Sequence, residues 1–301
     1  MLKKMIAIFL CMLTLMGVVA CGRQTSEAGE NKIKVMVTFN ALHEFVQAVG
    51  QDKVDITTVI PEGTEPHDFE PKARDIEALG TADIFVYNGL GMEAWADEAI
   101  QAANNKDLIV VDASKGVDAI TNTDEEEIQE HGQYDPHIWL SLKDAEIEAR
   151  NISDALIQAN PSEKDYFEKN CDDFVSQLES LYSEYDAKFK TVSNKSIVTG
   201  HAAFAYLCRD FGLSQNSVED VFAEGEPSAQ QMTELVNYCR ENEIKTIFME
   251  EMVSPEVSQT LANEIGADVK TIYTIESSED GMSYIERMKS NLEAIIGSLS
   301  R

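Results

Sequence analysis

Short β-branched runs alternate with helical patterns along the first half of the chain. Ile33 to Val37, Val54 to Ile60, Ile84 to Tyr87 and Leu108 to Val111 read as strands. Apolar residues at helical spacing lie between them, near Leu42 to Val49, Arg74 to Leu79 and Met92 to Asn104. The second half repeats the scheme, with strands at Ser196 to Thr199, Val218 to Phe222, Lys245 to Met249 and Val269 to Tyr273. Its helices fall near Ala202 to Phe211, Ala229 to Glu241, Glu256 to Ile265 and Ser283 to Ile296. Strand and helix in alternation predict mainly parallel sheets covered by helices, so the fold class is α/β, with two similar βα lobes.

A longer helical pattern runs between the halves. Pro161-Ser162 opens it, and Phe167, Cys171, Phe174, Leu178, Leu181, Tyr185 and Phe189 follow in steps of three and four. A continuous helix from Ser162 to Phe189 would be about 40 Å long, enough to span both lobes. Such a connector is stiff and predicts small lobe movements around a ligand in the cleft, not a wide hinge closure. One stretch breaks the pattern: Thr121 to Gln133 holds Asp124-Glu125-Glu126-Glu127, Glu130 and His131 without apolar periodicity, and is expected to be a mobile, solvated loop.

The start of the chain bears on compartment. Lys3 and Lys4 precede an apolar run from Met5 to Ala20, too short for the roughly 20 residues of a bilayer span and suited to a cleaved secretion signal. Cys21 directly after Val18-Val19-Ala20 resembles a lipobox, in which the cysteine is acylated and becomes the new N-terminus. Gly22 to Asn31 is polar, as a tether would be. The organisation expected is therefore a signal at 1–20, a lipid-anchor tether at 21–31, an N-terminal lobe at 32–160, a connecting helix at 161–191 and a C-terminal lobe at 192–301.

The chain carries 54 acidic residues against 24 basic ones; losing residues 1–20 removes two lysines and no acid, moving the formal charge from −30 to −32. That balance excludes nucleic acid as a partner and suits a soluble body beside an anionic membrane. Cys171, Cys208 and Cys239 remain, an odd number with no close pairing, and are expected to be buried thiols, although one disulfide is permitted outside the cytosol.

Three of the five histidines lie where a loop should open onto the cleft: His67 in Glu65-Pro66-His67-Asp68, His137 in Asp135-Pro136-His137-Ile138-Trp139, and His201 in Gly200-His201-Ala202-Ala203. Proline ahead of the first two stiffens their loops. Neutral imidazoles suit borderline metals such as zinc, with carboxylate as a further donor, but separations of 70 and 64 residues match no local metal motif and leave surface histidines as the alternative. His43 reads as a residue on a helix face, and Trp95 and Trp139 as packing against lobe or cleft walls.

Four stretches in order, Gly63-Thr64-Glu65-Pro66-His67-Asp68-Phe69-Glu70-Pro71, Ala82 to Glu93, Asp135 to Ser141 and His201 to Tyr206, resemble the metal-binding solute-binding lipoproteins of ABC importers, the zinc- and manganese-specific family. The resemblance covers nearly the whole chain after the signal. It implies two α/β lobes joined by one long helix, a metal between them, and His67, His137 and His201 as ligands. A third imidazole in place of glutamate implies a zinc-type member. The fourth ligand is implied to be acidic and to follow the last strand; Glu276 matches that place, with Asp280 as the alternative. Glu65, Asp68 and Asp135 are candidates for orienting the imidazoles.

What the resemblance implies is capture of one Zn(II) per chain by a monomer held at the outer face of the cell membrane, and its delivery to an ABC permease with its ATPase. No P-loop pattern occurs, so the ATPase would be a separate protein. A manganese-specific relative of the same family is the nearest alternative. A secreted mononuclear zinc hydrolase is the enzymatic one; it would need an open coordination position, and no H-E-x-x-H occurs. Gly89-Leu90-Gly91-Met92-Glu93-Ala94 mimics a dinucleotide fingerprint but follows the third predicted strand, and reads better as a tight strand-to-helix turn. Surface adhesion, a third class, has no specific support.

Overall fold

The computed structural model describes residues 32–122, 128, 132–221, 228–250, 255–278 and 281–300. Strands β1 (Ile33–Val37), β2 (Val54–Thr58), β3 (Ile84–Tyr87) and β4 (Ile109–Asp112) form one sheet in the order β2-β1-β3-β4, every pair parallel. Helices α1 (Asn40–Gly50), α2 (Ala73–Leu79) and α3 (Ala96–Ala103) make its crossovers. The second sheet, β5 (Ser196–Thr199), β6 (Ser214–Ser217), β7 (Thr246–Glu250) and β8 (Asp268–Ile272), has the equivalent order β6-β5-β7-β8, again parallel throughout. Its helices are α6 (Ala205–Phe211), α7 (Ala229–Glu241), α8 (Pro255–Ile265) and α9 (Tyr284–Leu299). In both sheets the chain reverses its winding beside the first strand. The carboxyl ends of the strands there form the crevice in which open α/β sheets hold ligands.

Two helices lie between the sheets in sequence, α4 (Leu142–Ala159) and α5 (Lys164–Phe189), joined by a 3-10 turn over Pro161–Glu163. At 26 residues α5 is about 39 Å long, as its apolar spacing predicts. It works as a shared spine. Phe174 of α5 packs on Phe45 of α1 (centroids 5.7 Å apart) and on Tyr284 of α9 (6.1 Å), while Phe45 and Tyr284 meet edge to face at 4.8 Å. One apolar core thus runs without a break from β1 through α1, α4 and α5 to α9. Lobes gripped by a common core resist large relative motion, because opening them would expose apolar surface at about 25 cal/mol per Å².

The structure departs from the predicted elements in instructive places. The strand expected at Val218 to Phe222 lies instead at β6, four residues of polar sequence. Gly212, in the left-handed region at φ 64°, turns the chain straight back from α6, and backbone pairing with β5 suffices to hold this edge strand without apolar side chains. Val218 itself donates its N–H to the carbonyls of Thr199 and Gly200, and 222–227 lie outside the described residues. Helix α6 begins at Ala205, not Ala202, since the N–H groups of Ala202 and Phe204 point to Asp220 O and Gln215 Oε1. Helix α3 begins at Ala96, not Met92, because the chain from Gly89 turns tightly, with Met92 N–H donating to Gly89 O and Ala96 N–H to Glu93 O. Helix α4 is an addition that the apolar pattern did not predict.

Helix α4 carries an exception to ordinary core chemistry. Glu148 is wholly buried, and neither carboxyl oxygen has a hydrogen-bond partner among the described residues. Burial, then the nearby Asp144 and Glu93, hold its pKa well above the usual carboxyl range. The folded chain therefore keeps a proton that the unfolded chain releases above its ordinary pKa of about 4.3. Its contribution to stability is present below that value and is lost as pH rises toward the folded pKa, at up to about 1.4 kcal/mol per pH unit. Glu148→Leu is accordingly expected to raise the melting temperature more at pH 8 than at pH 5. Equal shifts at both pH values in parallel thermal scans would contradict this.

Candidate metal centre

His67, His137, His201 and Glu276 come together at the crevice. One ligand atom from each lies within 4.8 Å of all the others. Each residue follows the carboxyl end of a strand: β2, β4, β5 and β8 respectively. His137, His201 and Glu276 are at most 5% exposed, and His67 is half-buried. His137 sits at the centre, its Nε2 being 3.2 Å from Nε2 of His67 and 3.4 Å from Nε2 of His201.

Each side chain is held from behind. Asp135 Oδ1 accepts from both the backbone N–H and Nδ1 of His137, at 2.9 and 2.8 Å. A carboxylate on Nδ1 places the proton there and leaves Nε2 as a lone pair facing the other two rings. The Pro136 carbonyl is fixed by Asn88 Nδ2 at 2.8 Å, and Trp139 Nε1 donates across the crevice to Thr274 O at 2.6 Å. His67 sits in a turn in which its own N–H points at Glu65 Oε1, 3.4 Å away. The turn is tied to the loop of Glu276 by Gly63 N–H donating to Ser277 Oγ.

On the second lobe, Glu250 at the end of β7 accepts from the N–H groups of Gly200 (3.0 Å) and His201 (3.3 Å). Gly200 is required by this approach: a Cβ there would lie 2.0 Å from Glu250 Oε2. The carbonyl of His201 accepts from Thr199 Oγ1 and Gln215 Nε2. Burial, and then the electrostatic influence of the neighbouring His137 ring, hold the His201 pKa well below its ordinary value, so the ring stays neutral. Glu276 follows Ile275, a wholly buried β-branched residue at φ 64°, a conformation costing about 1–3 kcal/mol. Asn40 of α1 steadies it, donating from Nδ2 to Ile275 O and from its backbone N–H to Glu276 O. Thr274 Oγ1 donates to Glu276 Oε2 at 2.8 Å.

The donor set fits a tetrahedral cation. Ligands about 2.0–2.1 Å from a tetrahedral ion stand about 3.3–3.4 Å apart, close to the two nitrogen–nitrogen distances around His137. Neutral imidazoles with lone pairs facing one another need a positive charge between them, and three imidazoles with one carboxylate make a set that zinc favours over harder ions.

Of the residues expected to orient the imidazoles, Asp135 does so, Glu65 accepts from the backbone N–H of His67, and Asp68 is exposed. Asp280, the alternative to Glu276, its neighbour Glu279, and His131 of the acidic loop lie outside the described residues, as does Cys21. Cys171, Cys208 and Cys239 are buried free thiols. Trp139 packs at the crevice, with its ring 5.2 Å from that of His137, and Trp95 packs on Phe69. Glu250, Thr274 and Tyr206 were not foreseen. Tyr206 donates its hydroxyl to Asp135 O (2.6 Å) and accepts from Ile120 N–H, bracing the His137 support from the other lobe. A carboxylate closing the apolar run Ile247-Phe248-Met249 was the available signal for Glu250.

The nucleotide-like turn is occupied. Glu93 accepts from the N–H groups of Asn88 and Gly89 and from Thr38 Oγ1, using the donors that a phosphate would need. A Cβ on Gly89 would lie 2.4 Å from Asp112 Oδ1.

Residues 35–297 match the family model described as zinc-uptake complex component A, periplasmic (ZnuA). The chain is 35% identical over 316 aligned positions to the high-affinity zinc uptake system protein ZnuA of Bacillus subtilis, covering 99% of each. It is 34% identical to the zinc-binding lipoprotein AdcA of Streptococcus pneumoniae, over 97% of this chain and 60% of that protein. Among solved structures it is similar to the laminin-binding protein Lmb of Streptococcus agalactiae, described as an adhesin with metal-transporting activity: TM-score 0.82, 33% identity, 89% of this chain and 99% of that one. With the family model matched over nearly the whole described body, this chain belongs to the ZnuA family of periplasmic zinc-uptake components.

Proposed function

We propose that the protein captures one Zn(II) per chain between its lobes and hands it to an ABC permease driven by a separate ATPase. The observation that carries this reading is the convergence of His67, His137, His201 and Glu276. Four protein donors leave no coordination position for an activated water, which favours a carrier over a hydrolase. The acylated Cys21 would hold a monomer at the outer face of the membrane after loss of residues 1–20, with 21–31 as tether, 32–160 and 192–301 as lobes and 161–191 between them. Among the described residues no helix is long and apolar enough to cross a membrane. The relatives named for zinc uptake and zinc binding support the choice of ion.

With the cation, one glutamate and Asp135, the formal charges of the centre sum to zero, so enclosing it costs far less than burying a bare dication. Zinc affinity is expected to fall as pH drops, because protons compete with the metal for imidazole nitrogens. Asp135→Ala removes no donor to the metal but frees the His137 ring. It is expected to weaken zinc binding about 10–100-fold in a chelator competition; unchanged affinity would show that Asp135 does not orient the ligand. The reading itself is tested by metal content and by zinc–manganese competition on residues 22–301. One zinc retained against excess manganese supports it. Preferred manganese, or no bound metal, overturns it.

A further inference from the structure

A cavity of about 320 Å³ reaches Glu276 from the side of α1 and β2. None of the three site imidazoles lines it, and Glu276 is the one converging residue that does. Its other walls include His43 and Glu44 of α1, Thr58 at the end of β2, Glu62 in the next turn, and Ser278. Three carboxylates and an imidazole thus face one space, with no basic side chain among them. His43 has Nδ1 engaged 3.0 Å from Thr58 Oγ1, which leaves its other nitrogen available. Burial lowers its pKa against the opposing pull of Glu44 and Glu62, so the ring adds no positive charge.

We propose that this cavity is the loading chamber of the metal centre. A hydrated divalent cation is held there by Glu44, Glu62 and His43, and Glu276 is the first donor to replace its water on the way to the imidazoles. The inference rests on the zinc-binding reading and goes beyond it by assigning the route. His137, His201 and Glu276 are all nearly sealed and His67 is half-buried, but of the four only Glu276 lines this cavity, so an ion arrives either past His67 or through the cavity at Glu276. Glu65 and Asp68 also flank His67, but Asp68 is exposed, whereas Glu44, Glu62 and Glu276 share one recess, where carboxylates concentrate cations and speed their arrival. The recess also has the room, since the space equals roughly ten water volumes of about 30 Å³ each. Among the described residues only the His67–His137–His201–Glu276 group converges tightly enough for direct coordination, so the chamber holds the ion through water and passes it on. Stepwise loss of hydration avoids the cost of stripping a dication at once.

A residue on the route but outside the bound centre changes association and dissociation by the same factor and leaves Kd unaltered. Stopped-flow zinc binding and chelator-driven release on residues 22–301 test this with Glu62→Trp, which plugs the exposed rim, and with E44Q/E62Q, which removes charge without bulk. A matched loss of two charges on α5, E168Q/D172N, measures the effect of net charge alone. The expected result is that both rates fall about tenfold in Glu62→Trp and severalfold in E44Q/E62Q, with Kd within about twofold of wild type and the α5 variant close to wild type. Unchanged rates in both chamber variants would place the route past His67, and a change in dissociation alone would make the chamber part of the bound centre; either overturns the proposal. A wild-type chain that binds no zinc would instead defeat the underlying reading, before any rate is compared.

Discussion

His137→Ala is expected to weaken zinc binding by about a hundredfold or more, the largest loss among substitutions of the four proposed ligands. Four-ligand zinc sites are worth roughly 10–16 kcal/mol, or about 3 kcal/mol per donor, which is about two orders of magnitude in Kd. His137 exceeds an average donor for two reasons. Its Nε2 is the atom within 3.2–3.4 Å of both other imidazoles, so its loss opens the middle of the cluster and not an edge. Its removal also leaves buried Asp135 facing an empty pocket, a carboxylate deprived of its ring partner. Half-buried His67 should be more forgiving, since water can reach the position it vacates. Isothermal titration with a competing chelator would rank the four; a His137→Ala Kd within tenfold of wild type would remove this ring from the coordination sphere.

Trp139→Ala is expected to cost the apo protein about 3–5 kcal/mol, the range for deleting a fully buried large aromatic. At about 2–4 °C per kcal/mol, the melting temperature should fall by roughly 10 °C. Trp139 is wholly buried, packs edge to face on Phe39 with centroids 4.7 Å apart, and donates Nε1–H to Thr274 O across the crevice. The same residue's carbonyl accepts from Tyr284 Oη at 2.7 Å. Its deletion therefore removes core volume and an inter-lobe tie, and loosens the chain on both sides of the centre, at His137 and at Thr274-Ile275-Glu276. Zinc affinity should drop along with stability. Trp139→Phe should restore much of the stability and less of the affinity, because it refills the space without the N–H donor. Full affinity in the phenylalanine variant would show that packing alone sets the geometry.

The parts of the fold that were legible in the sequence are those where one physical pattern dominates. The spine α5 presents large apolar residues every three or four positions, so its length and buried face could be read directly. Helix α4 escaped because its buried face mixes Leu142, Ile152 and Leu156 with small Ala145, Ala149 and Ala155 and is interrupted by buried Asp144, Glu148 and Ser153, which blurs the apolar period. Strand β6 escaped because an edge strand held by backbone pairing needs no apolar code.

The centre divides in the same way. Pro66 and Pro136 mark two rigid histidine loops, and the strand-to-helix passage marks His201. That these three meet is a property of two sheets turning their carboxyl ends toward each other, which no spacing of 70 and 64 residues encodes. Glu276 was reached through family resemblance alone; what places it is a left-handed Ile275 braced by Asn40, 235 positions earlier. Tyr206 and Glu250 act through backbone atoms, and such contacts leave no local signature.

The most direct measurement is zinc K-edge X-ray absorption on the loaded chain, for wild type and Glu276→Ala. The expected spectrum is four-coordinate, with N and O donors at about 2.0–2.1 Å, the outer-shell scattering of three imidazoles, and one light donor replaced or lost in Glu276→Ala. Fewer than three imidazoles, a six-coordinate oxygen-rich shell, or a spectrum indifferent to Glu276 would contradict a centre built from these four residues.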